Sequence, residues 1–335
     1  MKKAISLILT LILGISVLAG CNGGSNADVS GASSAGSANG AYKIGLVQFM
    51  EHESLDMIRT AFMEKLQSKI DDGSVTVDYQ NGQGETANLN SICQNFVGDK
   101  VDLIVAIATP AAQAAVTAAE GTDTKILFVA VNYPQTDLNI QNLEAPEGNI
   151  TGTSDLLNIA SIVDLALKVD PDLKTFGMLY NSGEPNSVAA ASDAKAYCEE
   201  KGIEVIESTI SNTSEIQQAA TDLVSKVDAI FTGTDNSIAS AMPIVSEITK
   251  NAKVPFYVGA DTMVMAGGLA TIGVDYKDLG ARSGDMAIKL AGGAAISEIP
   301  VFFYDEYQAY INKTTAAAIG VEFPADVTES AVIFE

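Results

Sequence analysis

Between Tyr42 and Ala260, short apolar runs bounded by turn residues alternate with longer stretches of helical period, and the alternation occurs in two series. The first places strand-like runs at "YKIGLVQF", "VTVDY", "DLIVAIA" and "KILFVAV", with helical stretches at Leu55 to Lys69, Thr86 to Val97 and Pro110 to Ala119. The second places them at "TFGMLY", "IEVIEST", "DAIFTGT" and "PFYVGA", with helices near Asn186 to Lys201, Ser214 to Ser225 and Ser237 to Asn251. A run such as Leu103-Ile104-Val105-Ala106 is apolar on both faces, as strands of a parallel sheet covered by helices must be. Two such series predict an α/β protein of two similar lobes with parallel sheets, facing each other across a cleft. Ligands of such sheets sit at the carboxyl ends of the strands.

The chain before Tyr42 is of a different kind. Lys2 and Lys3 precede an apolar run that closes on "LAGC", residues 18 to 21, too short for a membrane span and flanked like a secretory signal. "LAGC" resembles a bacterial lipobox, so residues 1–20 are expected to be a cleaved lipoprotein signal and Cys21 the lipidated first residue. Residues 21–41, rich in Gly, Ser, Asn and Ala, cannot bury enough apolar surface to offset their ordering entropy and read as a flexible tether. The lobes are expected at 42–153 with 262–299, and at 154–261 with 300–335. The hinge candidates are Thr153 to Asp155, Ala260 to Asp261 and the stretch after Pro300.

A balance of 19 basic against 42 acidic side chains, net −23, makes the electrostatic contribution to nucleic-acid binding repulsive and disfavours adhesion to anionic lipid. Cys93 and Cys198 fall in helical stretches of different lobes and are expected to be free thiols. No metal-type His or Cys cluster, Gly-x-Ser-x-Gly elbow, P-loop or dinucleotide fingerprint is present, so the sequence nominates no enzyme, cofactor or metal.

The candidate binding residues lie where strands end. In "ATPAAQAA", Thr109 is a candidate N-cap, Pro110 suits the first helical position, and Ala111 and Ala112 leave N–H groups unobstructed at the positive end of a helix. Such a join can hold a carboxylate without Arg or Lys; it is equally the form of an ordinary capped helix. Asp235 and Asn236 occupy the matching join of the second lobe, where a carboxylate suits an ammonium group and is also a normal helix cap. Glu51, His52, Ser154, Asp155, Asn181, Glu184, Asn186, Ser187 and Asp261 cluster at other strand ends, with Phe49, Tyr133 and Tyr180 as candidates to meet a ring.

The segments "MEHESLD", "NGQGETANLNSI", "VAIATPAAQAA", "NITGTSD", "YNSGEPNS", "TDNS" and "VDYKDLG", in this order and spacing, resemble the substrate-binding lipoproteins of ABC importers with a type I periplasmic-binding fold. The nearest branch is the one linked to tryptophan and tyrosine uptake, and the resemblance spans roughly residues 42 to 312. It implies two Rossmann-like lobes joined by a three-segment hinge, a ligand clamped by closure, an ABC permease as partner and an extracytoplasmic location. It also implies that Thr109, Ala111 and Ala112 contact a ligand carboxylate, while Asp155, Glu184, Asn186, Asp235 and Asn236 bind the amine or close the cleft. Glu53 stands where the family often has Pro. The expectation is a receptor for a small zwitterion, an aromatic amino acid such as tryptophan, tyrosine or phenylalanine. The alternatives are a nucleoside or sugar receptor, a ligand-sensing domain for a membrane partner, and a hydrolase on the same fold.

Overall fold

A computed structural model describes residues 40–335. The expected signal, Cys21 and most of the expected tether lie outside the described residues. The first lobe runs β1 (Tyr42–Gln48), α1 (Glu53–Asp71), β2 (Val75–Asn81), α2 (Thr86–Gly98), β3 (Leu103–Ile107), α3 (Thr109–Ala119), β4 (Lys125–Val129), α4 (Pro134–Asp137) and β5 (Ile150–Thr153). Its strands pair in the order β2-β1-β3-β4-β5, all parallel. Every residue of β3 is buried, as its uninterrupted apolar run requires.

The second lobe continues through α5 (Ile159–Val169), β6 (Thr175–Asn181), α6 (Pro185–Glu200), β7 (Glu204–Ile210), α7 (Ile216–Leu223) and β8 (Ala229–Phe231). There follow α8 (Asn236–Ser240), α9 (Met242–Ala252), β9 (Phe256–Tyr257), α10 (Asp261–Met265) and β10 (Ala270–Gly273). The chain then returns to the first lobe as α11 (Tyr276–Ala291). It finishes in the second lobe with β11 (Gln308–Asn312), α12 (Lys313–Ile319), α13 (Ala325–Thr328) and β12 (Val332–Phe334). The second sheet has the order β12-β11-β10-β9-β8-β6-β7, with β11 antiparallel to β10 and the other pairs parallel.

Three local readings change. The helix expected over Ser237 to Asn251 is two, because Pro243 enters at the first turn of α9 and cannot donate back to the preceding turn. The stretch expected as a helix over Ser214 to Ser225 begins as a 3-10 turn at Thr213–Glu215. The helix α5 was not anticipated, although Ile159, Ile162, Val163 and Ala166 form a buried face at helical spacing and the Asn158 side chain caps it by accepting from Ser161 N–H.

The lobe boundaries are also corrected. Residues 262–273, expected in the first lobe, belong to the second, because β10 pairs with β9 and β11. The middle crossing therefore lies at Val274 and Asp275 and not at Ala260 to Asp261. Residues 300–302, expected in the second lobe, finish the first: Phe302 N–H donates to Gly152 O, and Ser154 N–H donates to Phe302 O at 2.8 Å. Two of the three connecting segments thus run hydrogen-bonded side by side. Helix α11 packs tightly on α1, where a Cβ at Gly280 would overlap the Ile58 carbonyl. Cys93 on α2 and Cys198 on α6 are buried free thiols, each pushed up to about 12 by burial.

Candidate ligand-binding cleft

The carboxyl ends of the two sheets meet, and side chains bond across the gap. His52 at the start of α1 meets Asn236 Oδ1 at 3.1 Å, and Thr234 Oγ1 donates to Asn132 Oδ1 at 2.7 Å. Tyr133 OH donates to Asp193 at 2.7 Å, and the Ser54 and Thr262 hydroxyls touch. Between them lies a small cavity lined by residues of both lobes.

One wall comes from β3, β4 and their following turns: Ala108, Thr109, Ala130 and Asn132. Ala108 has φ +80° and Ala130 φ +57°, conformations that L side chains avoid and that cost on the order of 1–3 kcal/mol in the less populated regions. The residue preceding α3 is Ala108, not Thr109; Thr109 occupies the first helical position and makes no capping bond. Ala112 N–H is taken by Ala108 O, whereas the N–H groups of Thr109 and Ala111 have no partner within the helix because no residue four places earlier belongs to it. The side chains of Ala111 and Ala112 are fully buried in the core of the first lobe and do not line the cavity.

A second group converges from the hinge and the opposite lobe. Asp155 is buried; Tyr276 OH donates to its Oδ2 at 2.7 Å, and Asn132 Nδ2 donates to its main-chain oxygen at 2.9 Å. Its Oδ1 has no partner, and burial raises its carboxyl to about 6, against the Tyr276 hydrogen bond that lowers it. Asn186 directs its amide nitrogen to Thr234 O at 2.9 Å, which leaves its Oδ1 unpartnered. His52 Nδ1 is the third buried atom of this cavity without a partner, and burial lowers the ring's pKa.

Behind this wall sits a buried polar cluster. Asp235 was expected to meet an ammonium group, but Oδ1 caps α8 by accepting from Ile238 N–H at 2.8 Å and Oδ2 accepts from Asn181 N–H at 2.6 Å. Burial, and then the neighbouring Glu184 charge, raise its pKa. Glu184 accepts from the main-chain and side-chain donors of both Asn236 and Ser237, at 2.6–3.0 Å. Asn181 donates to Ser237 Oγ, and Ser187 lies against Asn186. Asp235 and Asn236 touch the cavity, whereas Glu184, Asn181 and Ser187 hold its wall from behind.

Of the residues singled out in the sequence, His52, Thr109, Asp155, Asn186, Asp235 and Asn236 line the cavity. Glu51 is exposed and outside it. Ser154 is spent in the hinge, its hydroxyl donating to Asn132 O, and Asp261 is a buried carboxyl bonded to Thr262 N–H, raised to about 6 by burial. Phe49, Tyr133 and Tyr180 do not line the cavity; its apolar wall is Leu55, Ala239, Ala260 and Met263. Asn132 and Tyr276 were missed. Asn132 had the same signal as the other polar residues that follow strands, while Tyr276, inside "VDYKDLG", meets Asp155 only through a fold that joins positions 121 residues apart.

The family described as "ABC transporter substrate binding protein" matches residues 43–333. The chain belongs to this family. It is a family of binding proteins and not of enzymes, and the two-lobed architecture is the type I periplasmic-binding fold. A tyrosine-binding protein of Clostridioides difficile (strain R20291) is 37% identical over 323 residues, spanning 96% of this chain and 93% of that protein. An ABC domain in complex with L-Trp from Streptococcus pneumonia shares 34% identity, covering 87% of this chain and 99% of that one, with a TM-score of 0.80. The ligand-free, open structure of a substrate binding protein with adhesive properties from Clostridium difficile shares 35% identity over 88% and 99%, with a TM-score of 0.64. At nearly equal identity and coverage, the TM-score to the L-Trp complex is the higher of the two. The four polar contacts across the gap are those of a closed cleft.

Proposed function

We propose that this protein is the lipid-anchored, extracytoplasmic receptor of an ABC importer, and that it clamps an aromatic amino acid, as a zwitterion, between its lobes. The observation that carries the reading is the division of labour inside one cavity. Asp155 Oδ1 and Asn186 Oδ1 are buried acceptors without partners, suited to an ammonium group, while Thr109 at the start of α3 offers a hydroxyl and a helix N-terminus to a carboxylate. Leu55, Ala239, Ala260 and Met263 suit the apolar body between them. The 37% identity to a tyrosine-binding protein and the likeness to an L-Trp complex support the aromatic class. "LAGC" at residues 18–21 supports anchoring through Cys21, and membership of an ABC family supports a permease as partner.

The test is calorimetry with tryptophan, tyrosine and phenylalanine against tryptamine, tyramine and phenethylamine, with nucleosides and sugars as controls. Amino acids should bind and the amines lacking a carboxylate should bind at least about tenfold more weakly, the scale of a lost hydrogen bond to a charged group. Thr109→Val should narrow that gap. Equal binding of the amines would remove the carboxylate site, and preference for a sugar or nucleoside would remove the zwitterion.

A further inference from the structure

The residue assigned to the ligand's ammonium group sits inside the hinge. Asp155 follows the first connecting segment, which leaves β5 at Thr153, and Tyr276 follows the second, which passes through Val274 and Asp275. Hydrogen bonds join the three segments in a closed circuit. Ser154 N–H ties the first to the third at Phe302 O, 2.8 Å away. Tyr304 OH ties the third to the second, sharing its proton between Asp275 O at 3.1 Å and Asp278 Oδ2 at 2.9 Å. Tyr276 OH ties the second back to the first through Asp155 Oδ2 at 2.7 Å. Only in this last link do both residues line the cavity.

Both side chains are buried, and among the described residues the phenol is the one donor to the Asp155 carboxyl. Burial, and then the Asp155 charge, push the phenol's pKa far above its ordinary value, so the tyrosine stays protonated and donates. A carboxyl group that accepts such a bond is favoured in its charged form, and with Oδ2 committed Oδ1 is the oxygen left to the cavity. The ionisable groups nearby supply no cation in the donor's place. Tyr133 and Tyr307 are near enough to feel the Asp155 charge, and Asp261 acts on Tyr276. Asp235 lines the same cavity, as does His52, whose ring is held toward neutrality by burial.

We infer that Tyr276 is a positioning residue for ligand recognition: its hydroxyl holds Asp155 as a charged acceptor with Oδ1 turned to the ligand's ammonium group, and ties that contact to the second hinge segment. This rests on the reading of Asp155 as the ammonium partner and adds the group on which that role depends.

The experiment is calorimetry with L-tyrosine and L-tryptophan from pH 5 to 8.5 on the protein, Tyr276→Phe, Asp155→Asn and Tyr304→Phe. Phenylalanine at position 276 keeps the ring and removes only the donor, so the Asp155 carboxyl should hold its proton to higher pH. The parent's affinity falls as pH drops below about 6, and in Tyr276→Phe that midpoint should rise by about one pH unit or more, the scale of a lost hydrogen bond to a charged group. The variant should bind about tenfold more weakly than the parent at pH 5, and the gap should narrow toward pH 8.5. Comparing variant with parent at each pH cancels the titration of the ligand and of His52, Asp235 and Asp261. Thermal unfolding of the ligand-free forms reads the same carboxyl independently. The parent loses stability as pH rises from 3.8 through about 6, and in Tyr276→Phe the loss should extend about one unit higher. Tyr304→Phe breaks the circuit away from Asp155 and should keep the parent's midpoint. An unshifted midpoint in Tyr276→Phe, a deficit equal at every pH, or the same shift in Tyr304→Phe would overturn the inference. Asp155 would still stand as the ammonium partner if Asp155→Asn had lost the pH-dependent part of the affinity. Parent-like affinity and pH profile in Asp155→Asn would instead remove the ammonium reading, and this inference with it.

Discussion

Replacing Asp155 by Asn should weaken ligand binding and strengthen the ligand-free fold in the same protein. The side chain is isosteric and its carbonyl can still accept the bond that Tyr276 OH makes at 2.7 Å. The other amide position then turns an N–H donor, in place of Oδ1, toward the ligand's ammonium group. A lost hydrogen bond to a charged group is worth about 1.5–3 kcal/mol, or roughly 10- to 150-fold in affinity. Stability moves the other way because burial raises this carboxyl from 3.8 to about 6. The folded state therefore holds a proton that the unfolded chain has released, and the parent loses stability as pH rises through about 6. Above that pH the ionised, buried group costs about 3 kcal/mol, which Asn avoids; below 3.8 both states are protonated and the advantage vanishes. Calorimetry at pH 8, with thermal unfolding of the ligand-free protein and variant from pH 3.5 to 8, measures both. The variant should melt several degrees higher at pH 8 and with the parent at pH 3.5, while the parent's own affinity should fall as pH drops below about 6. Unchanged affinity in the variant would refute the ammonium role, and a melting difference independent of pH would refute the titration argument.

Asp235→Asn keeps an oxygen for Ile238 N–H but turns its amide nitrogen against Asn181 N–H, so it should lower stability while its loss of affinity stays well below the roughly tenfold minimum set for Asp155→Asn, and a comparable loss of affinity would restore Asp235 as the ammonium partner. Gly280→Ala drives a methyl group into the Ile58 carbonyl at the α1–α11 contact and should lower stability by about 1–3 kcal/mol in denaturant unfolding; no change would mean that the two helices part freely. Small-angle scattering should show a smaller radius of gyration on adding tyrosine or tryptophan at saturation, and an unchanged profile would deny hinge closure. Cys21→Ser should leave the protein unprocessed or released from the membrane fraction, and fractionation like the parent would dismiss the lipid anchor.

The information legible in the chain before folding is local. Hydrophobic period and turn residues report on neighbours a few positions away, so the βα alternation, the buried run of β3 and the placing of polar residues at strand ends were all legible, and the two-lobed α/β reading followed. Helix α5 carries the same kind of signal in Ile159, Ile162 and Val163. The tertiary structure alone decided partnership. Strand β10 has the same local pattern whichever sheet it joins, and only its pairing with β9 and β11 moves the middle hinge to Val274 and Asp275. Asp155 and Asp235 are both strand-end carboxylates in the sequence. They differ because Asn181 and Ile238 N–H groups occupy both oxygens of one, whereas Tyr276, 121 residues away, occupies a single oxygen of the other. The contacts that close the cleft join His52 to Asn236 over 184 residues and Asn132 to Thr234 over 102. No local pattern encodes such contacts, because they form only when burial of two separate apolar cores has brought the strand ends face to face.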